Sequence, residues 1–159
     1  MDRNDFFNDE MAERIRSFEA RLERGEVFFI DTSELEDIIN YYLDFNLLKK
    51  AEKAVRFGKT IYPYEVLYTI KEAEIQLAKG NTNNAQKLLY KARDLEPRNT
   101  EVARLLGDAY LAKKQFQRAI DCYEFALKYE ADSEEIRFKL ARVYYLTHKE
   151  HLAIQHIYA

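Results

Sequence analysis

The sequence predicts an all-α fold: a solenoid of stacked helical hairpins preceded by one extra helix. Three observations carry this expectation. Apolar and small residues recur in one register with a period of 34. Only four glycines and two prolines occur in 159 residues, too few to punctuate a many-stranded β fold. The composition, 47% hydrophobic and 33% charged, is that of a globular chain with a high charged share.

The register is visible at several positions. Ala51, Ala85, Ala119 and Ala153 are spaced by 34, as are Leu43, Leu77, Leu111 and Tyr145. Val55, Leu89, Tyr123 and Ile157 form a third series, and Gly58, Ala92 and Ala126 a fourth. Pro63 and Pro97 occupy the next slot, which Ala131 fills one period later. The physical cause of such a pattern is packing. A helical hairpin cannot bury its apolar face alone, so similar hairpins stack on a shared core. Small residues recur where helix backbones approach closely, and Pro recurs where one hairpin stops.

On these residues the chain resembles the tetratricopeptide-repeat (TPR) family, whose 34-residue unit carries an L-G-x-x-Y, A-x-x-x-F, P skeleton. The segment TEVARLLGDAYLAKKQFQRAIDCYEFALKYEADS, Thr100 to Ser133, has Leu106-Gly107, Tyr110, Ala119, Tyr123 and Ala126 at the family's places; Ala131 replaces the closing Pro. Residues 32–65 keep Ile38, Tyr42, Ala51, Gly58 and Pro63, and residues 66–99 keep Ala73, Gly80, Ala85, Ala92 and Pro97. A partial unit, 134–159, has Leu140, Ala141, Tyr144 and Ala153. The resemblance implies a right-handed α-α superhelix over residues 32–159 and a role in binding proteins. Residues 66–99 depart from the pattern: Glu72 and Gln76 stand where Leu and Tyr are expected, and Ile70, Ala73 and Leu77 lie on a rotated face.

Local signals mark the elements. Thr32-Ser33, Asn99-Thr100 and Asp132-Ser133 read as helix starts, with Ser33 and Glu36 spaced as a capping box. Gly80 and Asn46 suit a left-handed turn; Lys114 and His148 share that slot and are strained if the turn keeps its shape. Residues 1–31 leave the register. Phe7, Met11, Ile15, Phe18 and Leu22 form one apolar stripe on a helix over about residues 5–24. Two roles fit that helix: a cap on the first hairpin, or a dimerisation or docking element. Val27-Phe28-Phe29-Ile30 reads as an apolar connector packed under the first hairpin.

The chemistry of catalysis is missing from these patterns. No Gly-rich phosphate loop or nucleophile elbow is present. Among the histidines, His151 and His156 are five apart and His148 falls in a turn, which is not the spacing of a helical metal pair. Cys122 is the single cysteine and reads as a small core residue. The formal charge of −3 does not indicate nucleic acid, and most Tyr and Phe fall on core positions. No run approaches a membrane span in length. The expectation is a cytoplasmic, non-enzymatic protein without cofactor or metal.

In the TPR family, positions two, five, nine, twelve and thirteen of each first helix line the groove that holds a partner. The carry-over gives Glu36, Asn40 and Leu43, then Ile70, Glu74 and Leu77. It continues with Arg104, Asp108 and Leu111, and ends with Phe138, Arg142 and Tyr145. The resemblance thus implies an interaction scaffold that holds a peptide or helix. An apolar ladder with a carboxylate-rich rim suits a segment with apolar anchors and basic flanks. Asn40, Arg104 and Arg142 fit the family's clamp for chaperone tails, but Glu36, Glu74 and Asp108 would repel a carboxylate. A small dimeric TPR chaperone and the regulatory TPR portion of a larger protein are the alternatives. A homo-oligomer would form through the N-terminal helix or the C-terminal end.

Overall fold

The computed structural model describes residues 3–157, with side chains from residue 9 onward. Phe7 of the N-terminal stripe therefore lies outside the described side chains. Nine helices and no strand occur among the described residues. The chain divides into two compact units, Met1–Tyr64 and Glu65–Ala159.

The first unit holds α1 (Arg3–Glu23), α2 (Thr32–Asp44) and α3 (Leu48–Ile61). Ile15 and Phe18 of α1 are buried. Phe18 meets Phe28 of the connector and Phe57 of α3 edge-on, at centroid distances of 5.9 and 5.6 Å. The Tyr42 hydroxyl donates to Glu19 at 2.8 Å, and Lys50 donates to the same oxygen at 2.7 Å. This helix packs against the first hairpin. The connector divides by alternation. Phe28 and Ile30 are buried, whereas Val27 and Phe29 are 82% and 78% exposed. An extended backbone sends successive side chains to opposite sides, so only half of this apolar run packs inward.

The second unit holds α4 (Leu67–Ala78), α5 (Thr82–Leu95), α6 (Thr100–Ala112), α7 (Phe116–Tyr129), α8 (Glu134–Leu146) and α9 (Glu150–Ile157). Helix α6 serves two cores. Val102, Leu105 and Leu106 join Ala85, Leu89 and Ala92 of α5, and Ala103 joins Ala119 and Tyr123 of α7 with Leu140 and Val143 of α8. In α4 the core takes Tyr68 and Ile75 besides Ile70 and Ala73, so the rotated face is wider than the sequence pattern indicates. Cys122 is only half-buried; burial nonetheless pushes its thiol up to about 11.

The period is visible in the backbone. Second helices begin at Leu48, Thr82, Phe116 and Glu150, each 34 after the last. The four alanines at 51, 85, 119 and 153 are all buried. Asn46, Gly80, Lys114 and His148 all adopt positive φ, at 54°, 77°, 57° and 57°. Each closes the same double hydrogen bond: Lys114 N–H donates to the Leu111 carbonyl and Gln115 N–H to the Tyr110 carbonyl, both at 2.9 Å. This is the Schellman end of a helix, which favours glycine at the left-handed position.

Two starts are capped as expected, by Asn99 and Ser133. The third differs. Asp31 caps α2, accepting from Ser33 N–H at 2.9 Å and from the Ser33 hydroxyl at 2.6 Å. Ser33 therefore sits inside the helix as a donor, and the Ser33–Glu36 capping box is replaced by an aspartate cap.

These contacts lead to three expected stability changes. A Cβ at Gly107 would fall 2.7 Å from Tyr123 Cδ1, so Gly107→Ala should cost about 1–3 kcal/mol by overpacking. Ala119→Leu, at a fully buried site, should cost a similar amount, about 1–3 kcal/mol. Lys114→Gly should instead gain about 0.5–1 kcal/mol by relieving left-handed strain, less the entropy glycine adds to the unfolded chain. Urea unfolding of each variant checks the sign and the size.

Candidate functional site

The candidate residues belong to the first helix of each hairpin and fall in both units. In the first unit, Glu36, Asn40 and Leu43 lie on α2, all of them half-buried. The remaining nine lie on α4, α6 and α8 of the second unit.

The structure separates these nine into support, charge and exposed surface. Ile70 is only 2% exposed and belongs to the core between α4, α5 and α6, so it underlies the face instead of lining it. Leu77 and Leu111 are half-buried, each with one side against a core. Phe138 and Tyr145 are both 66% exposed, and Arg142 between them is exposed as well. Spacings of four and three residues place these three along one stripe of α8.

The charged members are tied together. Arg104 reaches four carboxylates: Glu135 at 3.3 Å, Asp108 at 3.4 Å, Glu74 at 3.8 Å and Glu101 at 3.9 Å. Asp108 also accepts from the Tyr123 hydroxyl at 2.5 Å and from Lys139 at 3.0 Å through both oxygens. Burial, together with the Asp108 charge, pushes the Tyr123 hydroxyl well above the usual tyrosine range, so it stays a donor. On α4, Lys71 is only 4% exposed and donates to Glu101 at 2.9 Å. A buried ammonium persists only when paired in this way.

Lys71 and Lys139 were not among the residues expected on this face, and they change its charge. Both occupy position six of their hairpins, two periods apart, with Leu105 between them. Each reaches from its own helix to a carboxylate of α6. The carboxylate-rich rim expected from the sequence is thus met by Lys71, Arg104 and Lys139, and the network joins α4 to α6 and α6 to α8. The register contained the signal, since a lysine recurring at a fixed position of a packed repeat has a fixed neighbour.

No group of three or more metal-ligating side chains occurs among the described residues, and no described helix is long and apolar enough to cross a membrane. His148 is exposed in its turn, whereas His156 stacks on Tyr144 at 5.6 Å.

Comparison with known proteins agrees with this architecture. A tetratricopeptide-repeat model matches residues 76–124, and a TPR-repeat model matches residues 107–147. Residues 76–147 thus carry tetratricopeptide repeats. Among solved structures it is similar to TTC0263, a thermophilic TPR protein of Thermus thermophilus. The TM-score is 0.75 at 20% identity, covering 95% of this chain and 81% of that one. It is also similar to MamA, residues 41 to the end, from Desulfovibrio magneticus RS-1. There the TM-score is 0.71 at 14% identity, covering 96% of this chain and 85% of that one. At these identities the likeness is one of fold. A search of curated proteins gives no significant match.

The charge network makes a specific expectation. Lys71→Met removes a buried ammonium and leaves Glu101 partly paired by Arg104, whereas Glu101→Gln strips Lys71 of its closest partner. The second change should cost more, about 1–3 kcal/mol, because the buried Lys71 ammonium then loses its carboxylate at 2.9 Å while keeping Glu74 at 3.5 Å. Thermal unfolding of the two variants compares them directly.

Proposed function

We propose that this chain is a non-catalytic scaffold that holds a segment of another protein along the face made by α4, α6 and α8. The observation that carries the proposal is the exposed stripe of α8. Phe138 and Tyr145 are two large apolar side chains that the core leaves in solvent, and they continue a ladder begun by Leu77 and Leu111. Each such side chain gains roughly 1.5–3 kcal/mol when a partner covers it fully. The network around Arg104 and Asp108 holds the helices beneath in fixed relation, so little ordering is required on binding.

The partner's chemistry follows from what remains available. Its anchors are apolar, set against Leu77, Leu111, Phe138 and Tyr145. The exposed charges beside the stripe are Glu135 and Arg142, so electrostatic selection is local and of both signs. This is a narrower requirement than the basic flanks that a fully acidic rim would impose.

The test compares wild type with Phe138→Lys/Tyr145→Lys. Both positions are solvent-exposed, so the variant should keep its circular dichroism spectrum and melting temperature. A lysate protein retained by wild type and lost by the variant would support the α8 stripe as the docking surface. Equal retention of the same proteins by both would overturn it.

A further inference from the structure

The repeat itself records how each hairpin of the second unit is closed. Ile120 and Tyr123 of α7 are buried in one core with Ile136, Leu140 and Val143 of α8. Leu89 of α5, one period before Tyr123, is buried in one core with Val102 and Leu106 of α6. In both cases the covering element is the first helix of the next hairpin. It supplies aliphatic side chains at its positions three and seven, and in α8 also at position ten. One period after Ile120 and Tyr123 stand Ile154 and Ile157 of α9, 55% and 59% exposed. On α8, Phe138 and Tyr145 stand one period after Arg104 and Leu111. The earlier pair is half-buried and the later pair is exposed.

Charge follows the same register. Position nine of one first helix meets position five or six of the next: Glu74 lies 3.8 Å from Arg104, and Asp108 lies 3.0 Å from Lys139. At these positions the earlier helix gives the carboxylate and the later one the cation. Position nine of α8 is Arg142, which reverses the sign. Arg142 is exposed and forms no ion pair among the described residues. The acids nearby face other groups. Glu135 is held by Arg104 at 3.3 Å and Lys139 at 3.7 Å, and Glu150, which opens α9, lies 4.0 Å from His148. Glu134 begins α8, two turns before Arg142.

Resting on the reading of α8 as a docking stripe, we propose that α8 and α9 together receive one amphipathic helix of a partner protein. That helix is patterned like a first helix of this repeat, but with a carboxylate at position five or six. Its aliphatic side chains at positions three, seven and ten cover Ile154 and Ile157, and its carboxylate meets Arg142. A second copy of this chain does not supply such a helix. In the second unit, position six holds Lys71, Leu105 and Lys139, and position five holds Ile70, Arg104 and Phe138. Helix α2 carries acid there, Glu36 and Asp37, but Glu34 takes position three, and Leu35, Ile38 and Ile39 are already fully buried.

Peptide binding to the full chain tests this. The probe is a synthetic peptide of residues 132–147, lactam-bridged to hold its helix, in which Lys139→Glu places acid at position six. The unaltered peptide is the control. By fluorescence anisotropy, wild type should bind the acidic peptide about fivefold more tightly, the size expected of one exposed charge contact. Arg142→Asp gives α8 the sign that α6 carries at Asp108, and should invert the preference. Ile154→Asp/Ile157→Asp should bind neither peptide, with an unchanged circular dichroism spectrum because both side chains are exposed. No binding of the acidic peptide, equal binding of the two, or a preference unmoved by Arg142→Asp would overturn the proposal. Self-association of wild type in sedimentation velocity, abolished by Ile154→Asp/Ile157→Asp, would overturn it in favour of a second copy. Lysate proteins lost by Phe138→Lys/Tyr145→Lys, with no preference between the peptides, would overturn the helix and leave the docking stripe standing.

Discussion

The rest of the architecture depends on how closely paired helices approach. Ala85 and Ala119 have no exposed surface, and Gly107 lies so near the Tyr123 ring that a single methyl group has no room. Small residues at these crossings let the backbones come together, and the large residues beside them then interdigitate. Tyr123 illustrates the coupling. Its ring fills the space over Gly107, and its hydroxyl is thereby delivered to Asp108. Asp108 in turn holds Lys139 of the next first helix. A packing constraint inside one hairpin thus sets the position of a charge shared between two.

That chain of dependence explains why the proposed partner face has the electrostatics it does. A count of side chains on one helical face treats each charge as solvated, which is the ordinary fate of a charge on an amphipathic helix. In a stacked array the neighbour of that face is another helix. Lys71 and Lys139 are drawn across the gap between first helices to α6, where Glu101 and Asp108 are already paired with Arg104. The carboxylates then stabilise the stack and are less available to a ligand. What remains in solvent on this face is led by Phe138 and Tyr145 of α8.

The parts of this fold that were legible in the sequence are those governed by local geometry. Left-handed turns were readable at Gly80 and Asn46 because few residues tolerate positive φ, and the shared register extended them to Lys114 and His148, which do not favour it. Buried alanines were readable for the same reason of repetition. What escaped depended on non-local neighbours. Ser33 has the side chain of a cap, yet Asp31 takes that place two residues earlier and Ser33 donates to it. Ile70 looked like groove surface, but α5 and α6 enclose it. The burial of Lys71 could be found only by asking which carboxylate faces position six of the adjacent hairpin.

The connector shows the same limit. Four consecutive apolar residues, Val27 to Ile30, read as one buried run when counted. Backbone extension splits them, and pinning by Phe57 and Tyr62 determines which pair faces solvent. A helical connector of the same composition would have wrapped its apolar side chains around an axis and hidden them on one stripe. Extension instead leaves Val27 and Phe29 facing outward between α1 and α2. A fixed apolar pair loses little side-chain freedom when covered, so the charge on either side decides which surface covers it. In this chain the carboxylate beside the pair, Glu26, is already held by Arg21 at 3.2 Å and Arg24 at 2.6 Å, so that flank carries charge of both signs.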